Sequence, residues 1–132
     1  MILIATGSEV QLAIAAREQL AADGIAARVV SMPCVEWFTA QDASYQQEVL
    51  PPWVRARVSV EAGVALGWRG FIGDAGESVS LEHFGASASY QDLYQHFGIT
   101  AEKVAAAARS SLVKAGMDMD AAGRRASKEQ QP

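Results

Sequence analysis

Three observations predict an α/β fold built on a parallel sheet. Ile2 to Ala5 is a short apolar run bounded by Gly7, the pattern of a strand buried on both faces. Val10, Leu12, Ile14, Ala15 and Leu20 then fall near helical spacing, and Asp23-Gly24 supplies a stop of the kind that ends helices. A second β-rich run, Ala27 to Ser31, follows within about 30 residues of the first, which is the length of a βαβ unit.

The later elements follow from similar signals. Met32-Pro33 ends the second strand, because proline cannot donate to the ladder. Thr39 or Asp42 can cap a helix running through Tyr45 and Val49, and Pro51-Pro52 stops it. Ala56 to Val60 reads as a third strand. Six glycines between Gly63 and Gly85 are too many for one long helix. Short elements are expected there, with Phe71-Ile72 and Val79-Ser80-Leu81 as strand candidates. Tyr90, Leu93, Tyr94 and Phe97 lie three and four apart and predict a helix ending at Gly98. Thr100 caps the next, in a T-x-x-K variant of the capping box, and an alanine-rich run carries that helix to about Leu112.

Size and charge narrow the function classes. A chain of 132 residues suits one domain and buries roughly two-thirds of its unfolded surface. Eleven Lys and Arg against 15 Asp and Glu give a net charge of −4, a field that repels polyanions, so nucleic acid is not expected as a partner. Cys34 has no second cysteine to pair with, and His83 and His96 do not complete a common zinc pattern. No apolar run approaches the ~20 residues of a membrane span, and no basic stretch precedes the apolar N-terminus as in a signal peptide. A cytoplasmic protein with no membrane association is expected. The chain also begins directly on a strand, as would a domain cut from a longer protein and given a new Met1.

Two stretches could hold a ligand. In "ATGSEV", residues 5–10, Thr6, Gly7 and Ser8 lead from a strand into a helix start, where free N–H groups and the helix dipole favour an anion. Neither G-x-G-x-x-G nor G-x-x-x-x-G-K-[ST] is present, and Glu9 repels an arriving phosphate. Capping boxes, Thr6 with Glu9 or Ser8 with Gln11, are the stronger reading, leaving a weak anion site at Thr6, Gly7 and Ser8. In "SVEAGV", residues 59–64, Glu61 lies at the carboxyl edge of the sheet, where open α/β folds place ligands. It is a candidate acid, base or domain-junction contact, although no second carboxylate or histidine stands near it in sequence, which favours a turn cap or an interface ion pair.

Other residues have plainer readings. A lone His83 beside Phe84 is expected to be structural, and His96 to lie at the surface or an interface. Cys34 has no nearby basic activator and is expected as a buried, inert thiol. Trp37, Phe38, Trp53 and Trp68 could line an aromatic pocket, with core or interface packing the default. "RRAS", residues 124–127, resembles a basic phosphorylation motif of a kind that occurs often by chance.

Taken in order, "ATGSEV", "MPCVEWFTAQDASYQQEVLP", "ARVSVEAGVALGWRGFIG" and "HFGASASYQDLYQHFGITAEKV" resemble the C-terminal domain of transketolase from about Ile2 to Leu112. The resemblance implies a three-layer α/β/α sandwich with a five-stranded, mostly parallel mixed sheet. It implies a domain over residues 1–113. The remainder, 114–132, has no family counterpart and is expected as a tail that is disordered or artificially appended. Some family members carry proline where Ser89 stands here. For the full-length enzyme the resemblance implies ketol transfer between sugar phosphates with thiamine diphosphate and Mg²⁺. Those groups are held by two preceding domains and a second subunit, so no catalytic, cofactor-binding or metal residue is expected in this chain. An isolated accessory domain that self-associates is the leading expectation. The alternatives are a module for a small anionic metabolite, or the equivalent domain of another thiamine-dependent enzyme.

Overall fold

The computed structural model describes residues 1–117. Four strands form one sheet: β1 (Ile2–Ala5), β2 (Arg28–Ser31), β3 (Arg57–Val60) and β4 (Glu77–Val79), in the order β2-β1-β3-β4. All three neighbouring pairs are parallel. Among the described residues the sheet has four strands where five were expected, and it is wholly parallel where a mixed sheet was expected. The connections explain the parallel pairing, since each passes through helical structure long enough to return the chain to the same edge.

Helices cover both faces, giving the three-layer α/β/α arrangement. On one face lie α1 (Val10–Ala22) and α6 (Ala101–Lys114), on the other α2 (Val35–Thr39), α3 (Ala43–Val49) and α4 (Arg69–Ile72); α5 (Tyr90–Phe97) precedes α6. The alternation of β1 divides the core: Leu3 and Ala5 join the first helix layer, and Ile2 and Ile4 join the second. Ala13 and Ala16 on α1 and Ala105 and Ala108 on α6 are fully buried, and their small side chains let the two helices lie close together.

Several helix ends match the sequence signals. Asp42 caps α3 by accepting from the N–H of Tyr45 at 2.8 Å, Thr100 caps α6 by accepting from Lys103 N–H at 3.3 Å, and Gly98 ends α5 at φ +73°. Phe71-Ile72 is a correction, being helical rather than extended. Trp68, Phe71 and Ile72 stand three and four apart and turn one face into the second core cluster, which a strand would split between two faces. The following strand ends at Val79 rather than continuing through Leu81. The short helix α2 had no separate signal. The domain boundary expected at residue 113 falls within the last turn of α6; of the tail expected over 114–132, including "RRAS", residues 118–132 lie outside the described residues.

Arg57 connects the layers. Its Nε donates to Val54 O (2.8 Å), Nη1 to Phe71 O (2.6 Å), and Nη2 to Pro51 O (2.7 Å) and Leu50 O (3.2 Å), closing the ends of α3 and α4 beneath β3. On the other side Ser111, fully buried on α6, accepts from Arg57 N–H at 2.9 Å and donates to Ala75 O at 2.7 Å.

Candidate functional site

The strand order places a topological switch point between β1 and β3, because the chain leaves β1 for β2 on one side and then crosses to β3 on the other. Open parallel sheets bind ligands in the crevice outside the carboxyl ends at such a point. Ala5 pairs with Val60 at the ends of the two strands, so Thr6 and Glu61 enter this crevice side by side. The two sequence candidates, Thr6 to Ser8 and Glu61, thus come together at one edge.

The turn after β1 is built differently from the expected capping boxes. Thr6 is extended (φ −133°, ψ 153°), Gly7 turns at φ +55°, and a 3₁₀ turn spans Gly7–Glu9 before α1. Neither Thr6 nor Glu9 makes a side-chain cap bond to the backbone. The backbone supplies the partners instead: Glu9 N–H donates to Thr6 O at 3.2 Å and Val10 N–H to Gly7 O. The Glu9 side chain turns inward, only 6% exposed, and accepts from Ser8 Oγ at 2.9 Å and from the hydroxyl of Tyr94. Burial, and next the bond to Glu9, push the Tyr94 hydroxyl pKa above its ordinary value.

Glu61 is half-buried. Its Oε2 accepts from the indole Nε1 of the buried Trp68 at 2.5 Å, so it braces the loop after β3. That loop is held again by Glu82, which accepts from Ala65 N–H (2.8 Å) and Ser80 Oγ (2.9 Å); these bonds hold the exposed Glu82 carboxyl below the usual carboxylate range.

The other sequence candidates lie elsewhere. His83 is exposed, with Nδ1 2.8 Å from Phe84 O and its ring edge-on to Phe97 at 4.9 Å; His96, also exposed, meets the same ring at 5.2 Å. Cys34 is half-buried where full burial was expected. Its thiol donates to Glu36 at 3.4 Å, because the extended backbone before α2 leaves it on the rim of a cavity of about 230 Å³ lined by Met32, Trp37, Phe38 and Tyr45. The four aromatic residues form no common pocket. Trp68 is in the core, Phe38 packs on Phe71, and Trp37 and Trp53 are 75% and 77% exposed. Sequence reading missed the joining of Glu9 to Tyr94, 85 residues apart, for which no local signal exists.

The chemistry open to this edge is limited. Both carboxylates already accept from neutral donors. Thiamine diphosphate with Mg²⁺ does not fit here: the carboxylates of Glu9 and Glu61 at this edge oppose a diphosphate. Among the described residues no three or more His, Cys, Asp or Glu side chains gather as a metal site, and no helix is long and apolar enough to cross a membrane.

Comparison with known proteins gives a consistent result. The family model described as "Transketolase-like TK C-terminal domain" matches residues 1–100. A transketolase from Mycobacterium tuberculosis is 61% identical over 112 residues, 85% of this chain and 16% of the relative. The chloroplastic transketolase of Solanum tuberosum is 50% identical over 109 residues, 83% of this chain and 15% of the relative. Among solved structures, transketolase from Leishmania mexicana superposes with a TM-score of 0.81 at 42% identity, over 88% of this chain and 17% of that one. The chain therefore spans about 16% of the length of the curated relatives it matches.

Proposed function

The chain belongs to the transketolase-like C-terminal domain family, and from that premise we propose that it is the accessory C-terminal domain of a transketolase, structural and dimer-supporting, possessing no ketol-transfer activity alone. The observation that carries this reading is the asymmetry of coverage: 85% of this chain corresponds to only 16% of the relative. The engaged state of Glu9 and Glu61 supports it, since both carboxylates serve the fold.

On this reading the whole enzyme transfers a two-carbon ketol unit between ketose and aldose phosphates in the pentose phosphate pathway, in the cytoplasm. Thiamine diphosphate and Mg²⁺ belong to the preceding domains, with which this domain and a second subunit assemble, and a regulatory role is compatible with the same placement. Glu61 is a domain-junction contact, because the carboxyl edge leaves it half-exposed beside the loop braced by Trp68. Thr6, Gly7 and Ser8 form at most a weak anion site, with the Ser8 hydroxyl already directed to Glu9.

A domain exchange tests the proposal. This chain replaces the matching segment of the Mycobacterium tuberculosis transketolase, and ketol transfer and dimer mass are measured for the chimaera and for the chain alone. The expected result is an active, dimeric chimaera and an inactive free chain. Ketol transfer or tight thiamine diphosphate binding by the free chain would show that the domain is not merely accessory, and a chimaera that fails to dimerise would remove the dimer-supporting role. Phosphate titrated against the free chain should shift the amide resonances of Gly7 and Ser8 only at millimolar concentration.

A further inference from the structure

The segment between β4 and α6 is held more lightly than the layers around it. Residues 80–89 contain no helix or strand; Leu81 and Glu82 are tied to the loop after β3, Leu81 N–H donating to Gly63 O at 2.9 Å and Glu82 accepting from Ala65 N–H, but beyond them Phe84 is 97% exposed, and none of the eight residues of α5 is buried. By contrast α1 buries Ala13, Ala16 and Leu20, and α6 buries Val104, Ala105, Ala108 and Leu112. From α5 only the half-buried Tyr94 and Phe97 reach the margin of the first core cluster. Segments with few buried apolar groups open at lower free energy than the core.

Within this lightly held segment one polar link stands out. Among the described residues, Tyr94 is the α5 residue whose side-chain hydrogen bonds reach beyond the segment: its hydroxyl donates to Glu9 and lies 3.3 Å from Ser8 Oγ. A buried carboxylate needs such donors, and a charge-assisted bond is stronger than a neutral one. The helix is also closed at both ends. Ser89 Oγ accepts from Asp92 N–H and donates to its carboxylate, while Ile99 N–H donates to Tyr94 O beyond the turn at Gly98. Eight residues are too few for a helix to persist in water by itself, so undocking and unfolding coincide.

We propose that residues 83–89 and α5 form a strap latched over the carboxyl end of β1 by the Tyr94–Glu9 hydrogen bond, and that this strap opens as a unit while the sheet remains folded. Opening bares the buried Glu9 carboxylate at the switch point, beside the already exposed Gly7 and Ser8, and withdraws Tyr94 from Ser8. The proposal rests on contacts within the chain and does not depend on the accessory-domain reading.

Native-state hydrogen exchange of the 132-residue chain, followed by mass spectrometry in sub-denaturing urea, tests it. The expected result is that amides of α5 exchange at least ~10-fold faster than those of α1 and α6, with a shallower urea dependence, because opening the strap exposes less surface than global unfolding. Tyr94→Phe keeps the ring and removes the hydroxyl; it should speed exchange in α5 a further ~5- to 10-fold, the effect of losing about one hydrogen bond. Exchange in α6 should not change. Equal exchange of α5 and α6 in the parent chain overturns the strap, as does an absence of protection throughout the parent chain. Acceleration spread evenly over the chain by Tyr94→Phe overturns the latch, since the bond would then support the whole fold; no acceleration in α5 also overturns it.

Discussion

Trp68 donates its indole N–H to Oε2 of Glu61 at 2.5 Å, tying the carboxyl end of β3 to the 3₁₀ turn at Ala65–Trp68. The indole is buried, so removing its acceptor leaves a polar group without a partner. Glu61→Ala should destabilise the chain by about 1–3 kcal/mol, whereas Glu61→Gln keeps an acceptor and should cost less than about 1 kcal/mol. Urea denaturation followed by tryptophan fluorescence checks both. Equal losses for the two variants would mean that the charge, and not the hydrogen bond, matters at this position.

Much of the fold was legible because its signals are local. The apolar run at Ile2–Ala5, the strand pattern at Ala56–Val60, the stop at Gly24, and the caps at Asp42, Thr100 and Gly98 each act within a few residues. Errors arose where distant residues decide. Glu9 in a first turn reads as a capping partner, but a tyrosine 85 residues away draws it inward. Phe71-Ile72 is apolar enough for a strand, yet a helix brings it and Trp68 onto one core face. The meeting of Thr6 and Glu61 depends on strand order, which neither motif contains.

Arg57 should be among the residues least tolerant of conservative change. Burial lowers its guanidinium pKa, and among the described residues it is held by four carbonyls with no carboxylate salt bridge. Lysine offers one ammonium where the planar guanidinium spans Val54, Phe71, Leu50 and Pro51. Arg57→Lys is expected to cost about 1–3 kcal/mol by chemical denaturation. Arg57→Met leaves all four carbonyls without this donor and should cost more. A lysine variant as stable as the parent would show that water replaces the guanidinium bonds.

Glu77 should contribute a small acid-dependent stability. The Lys114 ammonium at 2.8 Å, and next Ser110 Oγ at 2.7 Å, hold its carboxyl below the ordinary value. The folded pKa is therefore the lower one. The stabilisation is complete above the unfolded value, about 4.3, and is lost as pH falls through the folded value. Solvent screening keeps the contribution under about 1 kcal/mol. Thermal denaturation between pH 3 and 7 should show a smaller acid-side loss for Glu77→Gln than for the parent; parallel curves would exclude the pair as a source of pH dependence.

Self-association of the free chain is expected from its exposed tryptophans. Trp37 and Trp53 are 75% and 77% exposed; Trp37 lines the cavity near Cys34, whereas Trp53 shares a groove with Met1, Leu112 and Met117. Large aromatic side chains bury substantial apolar area on association, and exposed apolar patches often mark contact sites. Light scattering over a concentration series should give a mass rising above that of one 14.0 kDa chain. Trp37→Ser and Trp53→Ser, made separately, identify which face is responsible: the variant that returns the mass to a monomer carries the contact, while the other behaves as the parent. Neither residue has a side-chain hydrogen bond among the described residues, so both substitutions should leave helix content by circular dichroism unchanged. A parent chain that stays monomeric at millimolar concentration would show that these tryptophans alone do not drive association.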